Sequence, residues 1–268
     1  MGSCNNKGFI AFFDSGLGGL NTLREAIVRM PGANFIYYGD TANAPYGPKS
    51  YQDVQGYMVE VLNFLRPFDL NALVIACNTA TCAAADLLRA EHKLPIIGME
   101  PAVKPAMEMI GPSGRRVLLL ATALTISSAK LTALRAKVDP DGLIDALPCP
   151  EWVEQAEQLN FDQETAAEML KKKLAAYDLE QYDAVVLGST HFCYFKKAVE
   201  MIFPDGIQIV DGNYGTVRHL MEVLSYERPV DRENREILLH LSNSREHEKI
   251  KMAKAMLEEA SGQAVGLI

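Results

Sequence analysis

The sequence predicts an α/β protein built as two related α/β halves with mostly parallel sheets and an active site at their interface. Three observations carry that prediction. Short β-branched or aromatic runs alternate with longer helical stretches, the pattern of parallel strands joined by crossover helices. The apolar runs show no polar alternation, which suits strands buried on both faces. Finally, residues 71–78 lie over residues 183–190 at a constant offset of 112, and the segments ending in Asp14-Ser15 and in Thr122 are 108 apart. A repeat of that length is too long for a solenoid and implies two related halves facing one another.

Taken in order, strands are expected over Gly8 to Phe13, Asn34 to Tyr38, Ala72 to Ala76, Leu94 to Gly98, Arg116 to Ala121, Ala184 to Gly188 and Gln208 to Val210. Each is an apolar run rich in β-branched or aromatic residues, the composition that packs well on a pleated surface. Helices are expected over Gly19 to Val28, Ser50 to Arg66, Thr79 to Glu91, Ser127 to Lys137, Gln163 to Tyr177 and Phe195 to Met201. The expected division is residues 1–98 for the first half, 99–210 for the second, and 211–268 as a C-terminal segment returning to the first. No low-complexity linker separates them.

Composition narrows the function classes. The chain of 268 residues is 49% hydrophobic and 22% charged, as in an ordinary globular protein. Its longest apolar runs, Ala72 to Cys77 and Val117 to Ala121, are far short of the roughly 20 residues that span a bilayer, so no membrane partner is expected. The start of the chain lacks a secretory h-region, and Cys4 lacks a lipid-anchor context. A net charge of -8 without clustered basic residues argues against nucleic acid. Five widely spaced cysteines, at 4, 77, 82, 149 and 193, form no CxxC pair, which argues against a disulfide framework and a structural zinc site and for a reducing cytoplasm.

In open α/β sheets ligands sit beyond the carboxyl ends of the strands, and four such ends carry polar groups. Asp14-Ser15-Gly16-Leu17-Gly18-Gly19 places a carboxylate and a hydroxyl before a glycine turn; its spacing departs from a dinucleotide fingerprint, and Asp14 suits a ligand ammonium better than a pyrophosphate. The local alternative is a helix cap. Tyr38-Gly39-Asp40 and Pro45-Tyr46-Gly47 surround a loop whose Tyr46 and Gly47 amides are in position to meet a ligand carboxylate, or which is turn chemistry alone. Cys77-Asn78-Thr79 puts a thiol at a strand end and a helix N-terminus, where the helix dipole favours the thiolate and the group can act as base or nucleophile. A buried structural cysteine is the alternative. Ser189-Thr190-His191 occupies the equivalent end in the second half, although single histidines are often satisfied surface or core groups. No cluster of His, Cys and carboxylates has metal-ligand spacing, so neither metal nor cofactor is expected.

The ordered set of Phe13-Asp14-Ser15-Gly16-Leu17-Gly18-Gly19-Leu20, Tyr38-Gly39-Asp40, Pro45-Tyr46-Gly47, Ala76-Cys77-Asn78-Thr79-Ala80, Thr122 with Thr125, Cys149-Pro150 and Gly188-Ser189-Thr190-His191 resembles the glutamate racemases of the cofactor-independent aspartate/glutamate racemase superfamily over nearly the whole chain. That resemblance implies interconversion of L- and D-glutamate, without metal or pyridoxal phosphate, to supply D-glutamate for peptidoglycan. It implies glutamate or a similar small acidic amino acid as the ligand and a homodimer as a candidate assembly. By the same resemblance Cys77 is a catalytic thiol, with Asp14 and His191 as polar neighbours of the two reacting faces. Ser15, Tyr46, Gly47, Asn78, Thr79, Thr122 and Thr190 line the substrate pocket, and Glu157, Asp40 and Thr125 are further candidates. An activator that relies on an extended N-terminal arm is not expected, because seven residues precede the first strand.

One position departs from the family. Inversion at an α-carbon needs a proton to leave one face and another to arrive on the opposite face, and Ser189 stands where the family has its second cysteine. A hydroxyl is a far weaker acid than a thiol of pKa about 8.5. The family's following Tyr-Pro is Phe192-Cys193 here. Three accounts compete: an introduced substitution, a natural change leaving a non-catalytic or one-base glutamate-binding homologue, or replacement by Cys193. The third fits poorly, because a group four residues further along lies well away from the α-carbon. A related racemase or lyase acting on another acidic substrate is a further alternative.

Overall fold

The computed structural model describes residues 8–111, 115–228, 235–243 and 245–268. The chain divides into two units, Met1–Met99 with Asn213–Ile268, and Glu100–Gly212. The first contains β1 (Phe9–Asp14), α1 (Leu20–Arg29), β2 (Asn34–Gly39), α2 (Tyr51–Leu65), β3 (Leu70–Ile75), α3 (Asn78–Glu91) and β4 (Ile96–Gly98). To these the end of the chain adds α10 (Asn213–Val223), β9 (Ile237–Leu241), α11 (His247–Ser261) and β10 (Gly266–Leu267). The six strands form one sheet in the order β10-β9-β2-β1-β3-β4, every pairing parallel.

The second unit runs α4 (Val103–Ile110), β5 (Arg116–Ala121), α5 (Ala123–Ile126), α6 (Ala129–Val138), β6 (Ile144–Pro148), α7 (Pro150–Glu157), α8 (Gln163–Lys173), β7 (Tyr182–Gly188), α9 (Lys196–Glu200) and β8 (Gln208–Asp211). Its sheet has the order β6-β5-β7-β8, again parallel.

The repeat expected from sequence reappears in the strand register. Ile10 pairs with Ala72 after a one-residue irregularity that follows Phe9–Leu70, and Val117 pairs with Ala184 after the same irregularity following Arg116–Tyr182. The β3 and β7 offset is therefore 112. The β1 and β5 offset is 107 rather than the expected 108, so Ser15, not Asp14, corresponds to Thr122 and Asp14 corresponds to Ala121.

Burial on both sheet faces explains why the strands lack polar alternation. Ala11, Phe13, Leu73 and Ile75 pack under α2 and α3 against Val54, Met58, Val61 and Leu88, while the alternate residues Ile10 and Phe12 are also buried. In the second unit Leu118 and Leu120 face Trp152, Phe192 and Phe195, whereas Val117, Leu119 and Ala121 face Val103, Ala106 and Leu131. Among the described residues, eight helices and strands lie beyond those expected: β6, β9, β10, α4, α5, α7, α10 and α11. The largest shortening of an expected helix is at α8, which stops at Lys173 rather than Tyr177. No helix among the described residues is long and apolar enough to cross a membrane.

Candidate active site

Parallel pairing brings the carboxyl ends of β2, β1 and β3 side by side in the first unit, with Asp40, Asp14-Ser15 and Cys77 just beyond them. The Asp40 N–H donates to the Asp14 carbonyl at 2.9 Å and the Ala76 N–H to the Phe13 carbonyl at 2.8 Å, so the edge is held by backbone bonds. Asp14 is completely buried; its Oδ1 accepts the Gly16 N–H at 2.9 Å, which shapes the turn into α1. Gly19 is required there, because a Cβ at that position would lie 2.6 Å from the Asp14 Cβ.

Cys77 is the N-cap of α3. Its Sγ accepts the Ala80 N–H at 3.4 Å, and the thiol donates to Ser15 Oγ at 3.5 Å. The expectation of a thiolate favoured by the helix terminus needs correction. Burial, and after it the charge of Asp14, push the thiol up to about 12, outweighing the Ser15 and Ala80 hydrogen bonds that pull it down. At neutral pH Cys77 rests as a protonated acid. A ligand ammonium beside Asp14 would cancel part of the charge that holds it there.

Asn78 donates from Nδ2 to the Met99 carbonyl at 3.2 Å, and its buried Oδ1 has no hydrogen-bond partner among the described residues. That leaves an acceptor for a ligand N–H beside the thiol. Thr79 is buried next to it in α3. Tyr46 is buried with its ring against Phe13 and Tyr57, and its hydroxyl donates to Asp40 Oδ2 at 2.5 Å. Burial and the Asp40 charge raise the phenol well above its ordinary range, so Tyr46 remains a donor. Gly47, half-buried, follows in the same loop.

In the second unit Thr122 caps α5, its Oγ1 accepting the Thr125 N–H at 3.2 Å and lying 3.0 Å from Thr125 Oγ1. Ser189, Thr190 and His191 follow β7, the last two opening a 3-10 helix over Thr190–Phe195. Ser189 is buried, and unlike Cys77 it makes no side-chain cap bond. His191 Nε2 lies 2.7 Å from Glu157 Oε1, with both side chains nearly enclosed. Glu157 reaches it from the end of α7. Cys193 is partly buried and packs against the Trp152–Phe192–Phe195 cluster. Cys149 is buried ahead of Pro150, the first residue of α7, and burial pushes it up to about 12.

Two residues that sequence reasoning missed support this geometry. Tyr37 donates from its hydroxyl to the Gly16 carbonyl at 2.8 Å, and Ser242, beyond β9, donates to Asp40 Oδ1 at 2.8 Å. Neither belongs to a local motif. Among the described residues no group of three or more His, Cys, Asp or Glu is arranged to hold a metal ion.

Four parallel strands follow the same order in both units, β2-β1-β3-β4 and β6-β5-β7-β8, and each run carries polar side chains at its carboxyl ends. The chain belongs to the Asp/Glu/Hydantoin racemase family, which it matches over residues 20–220. A glutamate racemase of Halothermothrix orenii is 42% identical to it over 252 residues, covering 93% of this chain and 99% of that protein. The crystal structure of glutamate racemase isoform RacE1 from Bacillus anthracis superposes with a TM-score of 0.83 at 25% identity, covering 98% of this chain and 97% of that one. Escherichia coli glutamate racemase in complex with L-glutamate and the activator UDP-MurNAc-ala gives 0.81 at 27%, covering 97% of each chain.

Proposed function

We propose that this protein is a cofactor-independent glutamate racemase of the cytoplasm that supplies D-glutamate for peptidoglycan. The observation that carries the reading is the buried Asp14–Ser15–Cys77 constellation at one strand edge of a chain in this family. Relatives that share up to 46% identity and are named glutamate racemases support the substrate.

In the proposed reaction Asp14 and Asn78 Oδ1 receive the substrate ammonium, and the Tyr46 and Gly47 amides receive a carboxylate. Ser15, Thr79, Thr122 and Thr190 complete the pocket. One group removes the α-proton, leaving a carbanion, and a second delivers a proton to the other face. Cys77 serves one face. In its resting protonated form it is ready to deliver; to remove a proton it must first lose its own, which the arriving ammonium favours. The other face is served by Ser189 with the His191–Glu157 pair. A hydroxyl there predicts slow chemistry unless the imidazole takes part.

The test is α-proton exchange of L- and D-glutamate in heavy water, followed by NMR for each enantiomer, with optical rotation measured in parallel. Exchange with inversion in both directions establishes a two-base racemase. Exchange of a single enantiomer without inversion identifies a one-base exchanger, and binding without exchange identifies a glutamate-binding homologue.

A further inference from the structure

The Asp40 carboxylate is 3% exposed, and among the described residues no cation pairs with it. A buried carboxylate is tolerated only when hydrogen bonds replace its water. Three side chains supply them. Tyr46 donates to Oδ2, Asn43 donates from Nδ2 to both oxygens at 3.1 and 3.0 Å, and Ser242 donates to Oδ1 at 2.8 Å. Tyr46 and Asn43 lie in the loop that follows β2, whereas Ser242 lies 202 residues beyond Asp40.

Ser242 also acts on the loop backbone. Its Oγ accepts the Ala42 N–H at 2.9 Å, and its own N–H continues the sheet by donating to the Gly39 carbonyl at 2.9 Å. The neighbouring Asn243 N–H donates to Thr41 Oγ1 at 3.2 Å. The loop is thus tied at its start by the end of β9 and at its far side by Tyr46, with Asp40 between. Because the Tyr46 hydroxyl is committed to Asp40, the groups left to meet a ligand from this loop are backbone amides. An amide aims at a ligand only as well as its loop is held.

We propose that Ser242 is a positioning residue: through Asp40 and the Ala42 amide it fixes the loop that presents the Tyr46 and Gly47 amides to the substrate. The inference rests on the racemase reading for the substrate, but not for the loop.

Two readouts keep these apart. Hydrogen exchange of the substrate-free protein, followed by mass spectrometry, should show peptides covering 41–47 losing protection by about tenfold or more in Ser242→Ala, with peptides covering β1 and β2 unchanged. In α-proton exchange assays the KM for glutamate should rise about tenfold, with kcat within about twofold, as expected when a hydrogen bond to a charged group is lost outside the chemical step. Ser242→Thr, which restores the hydroxyl, should recover both. Ser242→Ala and Tyr46→Phe should be less than additive in KM, because each breaks the same tether. An unchanged loop in Ser242→Ala, loosening spread across the sheet, or an unchanged KM overturns the proposal. If the parent protein neither binds nor exchanges glutamate, the racemase reading fails, and the hydrogen-exchange result alone decides the positioning role.

Discussion

The two units repeat one strand order, β2-β1-β3-β4 in the first and β6-β5-β7-β8 in the second, and differ in where the ionisable groups near their strand ends come from. In the first, carboxylates stand at the strand ends themselves, Asp14 as the last residue of β1 and Asp40 just after β2. The register places Ala121 and Cys149 at the corresponding positions of the second unit. There the carboxylate arrives instead from α7, as Glu157, and meets an imidazole at the position equivalent to Thr79. The side chains at the ends of β3 and β7 differ in the same sense: Cys77 is tied to Ser15 and the Ala80 N–H, while Ser189 makes no cap bond. The difference teaches that a repeated scaffold fixes where a strand-end side chain sits without fixing what surrounds it. Bond geometry comes from the sheet; proton affinity comes from whatever neighbours the loops supply.

The largest expected effect follows from removing the sole thiol at these two positions. Cys77→Ala should abolish α-proton exchange of the enantiomer it serves, by about 10⁴-fold, with glutamate binding retained. Retained exchange of that enantiomer would assign the chemistry elsewhere. Next in size, Ser189→Cys should raise racemisation by about 10²- to 10⁴-fold, because a thiol needs only a modest shift to work near neutrality and a hydroxyl needs many units. No gain despite unchanged binding would mean that the second unit differs from the first in more than this one atom.

Smaller and more discriminating effects come from the activating neighbours. Asp14→Asn removes the negative charge that helps hold the Cys77 thiol high, so the thiolate, followed by its ultraviolet absorbance, should appear at lower pH. Loss of the ammonium partner should still slow exchange about 10- to 100-fold. Glu157→Gln should slow exchange of the other enantiomer by a similar factor and leave Cys77 titration unchanged. If both substitutions slow both enantiomers equally, the assignment of one activating set to each face is wrong.

Much of this organisation is legible in the sequence for a physical reason. β1, β3, β5 and β7 are buried on both faces, so their apolar runs stand out, and short polar motifs mark their ends. β6 was hidden because it is an edge strand containing Asp145 and ending at Pro148; the half-exposed α10 contains Gly215. Ser242 and Tyr37 were invisible because each acts across the fold, over 202 and 21 residues, with no pattern nearby. The balance at Cys77 is not legible locally, because sequence reveals the helix terminus that lowers its pKa but neither the depth of burial nor the approach of Asp14 that raise it.

The smallest effect concerns Cys149, which occupies the position that Asp40 holds in the first unit. Asp40 organises a ligand loop, whereas Cys149 is a buried thiol whose Sγ lies 3.9 Å from the Leu147 carbonyl. Burial raises it to about 12, while an exposed cysteine titrates near 9, so the unfolded chain loses this proton first as pH rises. Between those values the unfolded state binds fewer protons than the folded one, and stability must fall with increasing pH. Its contribution is intact below about pH 9 and is lost progressively towards pH 12. Cys149→Ala should therefore cost about 1–2 kcal/mol at pH 7 through lost packing. It should also flatten the decline in urea midpoint as pH rises above about 9, with exchange kinetics within about twofold of the parent. A decline as steep as the parent's would place the alkaline sensitivity on other groups, Cys77 first among them. A collapse of glutamate exchange would show instead that the position opposite Asp40 in the register kept a functional role, and the contrast between the two units would narrow to the strand ends alone.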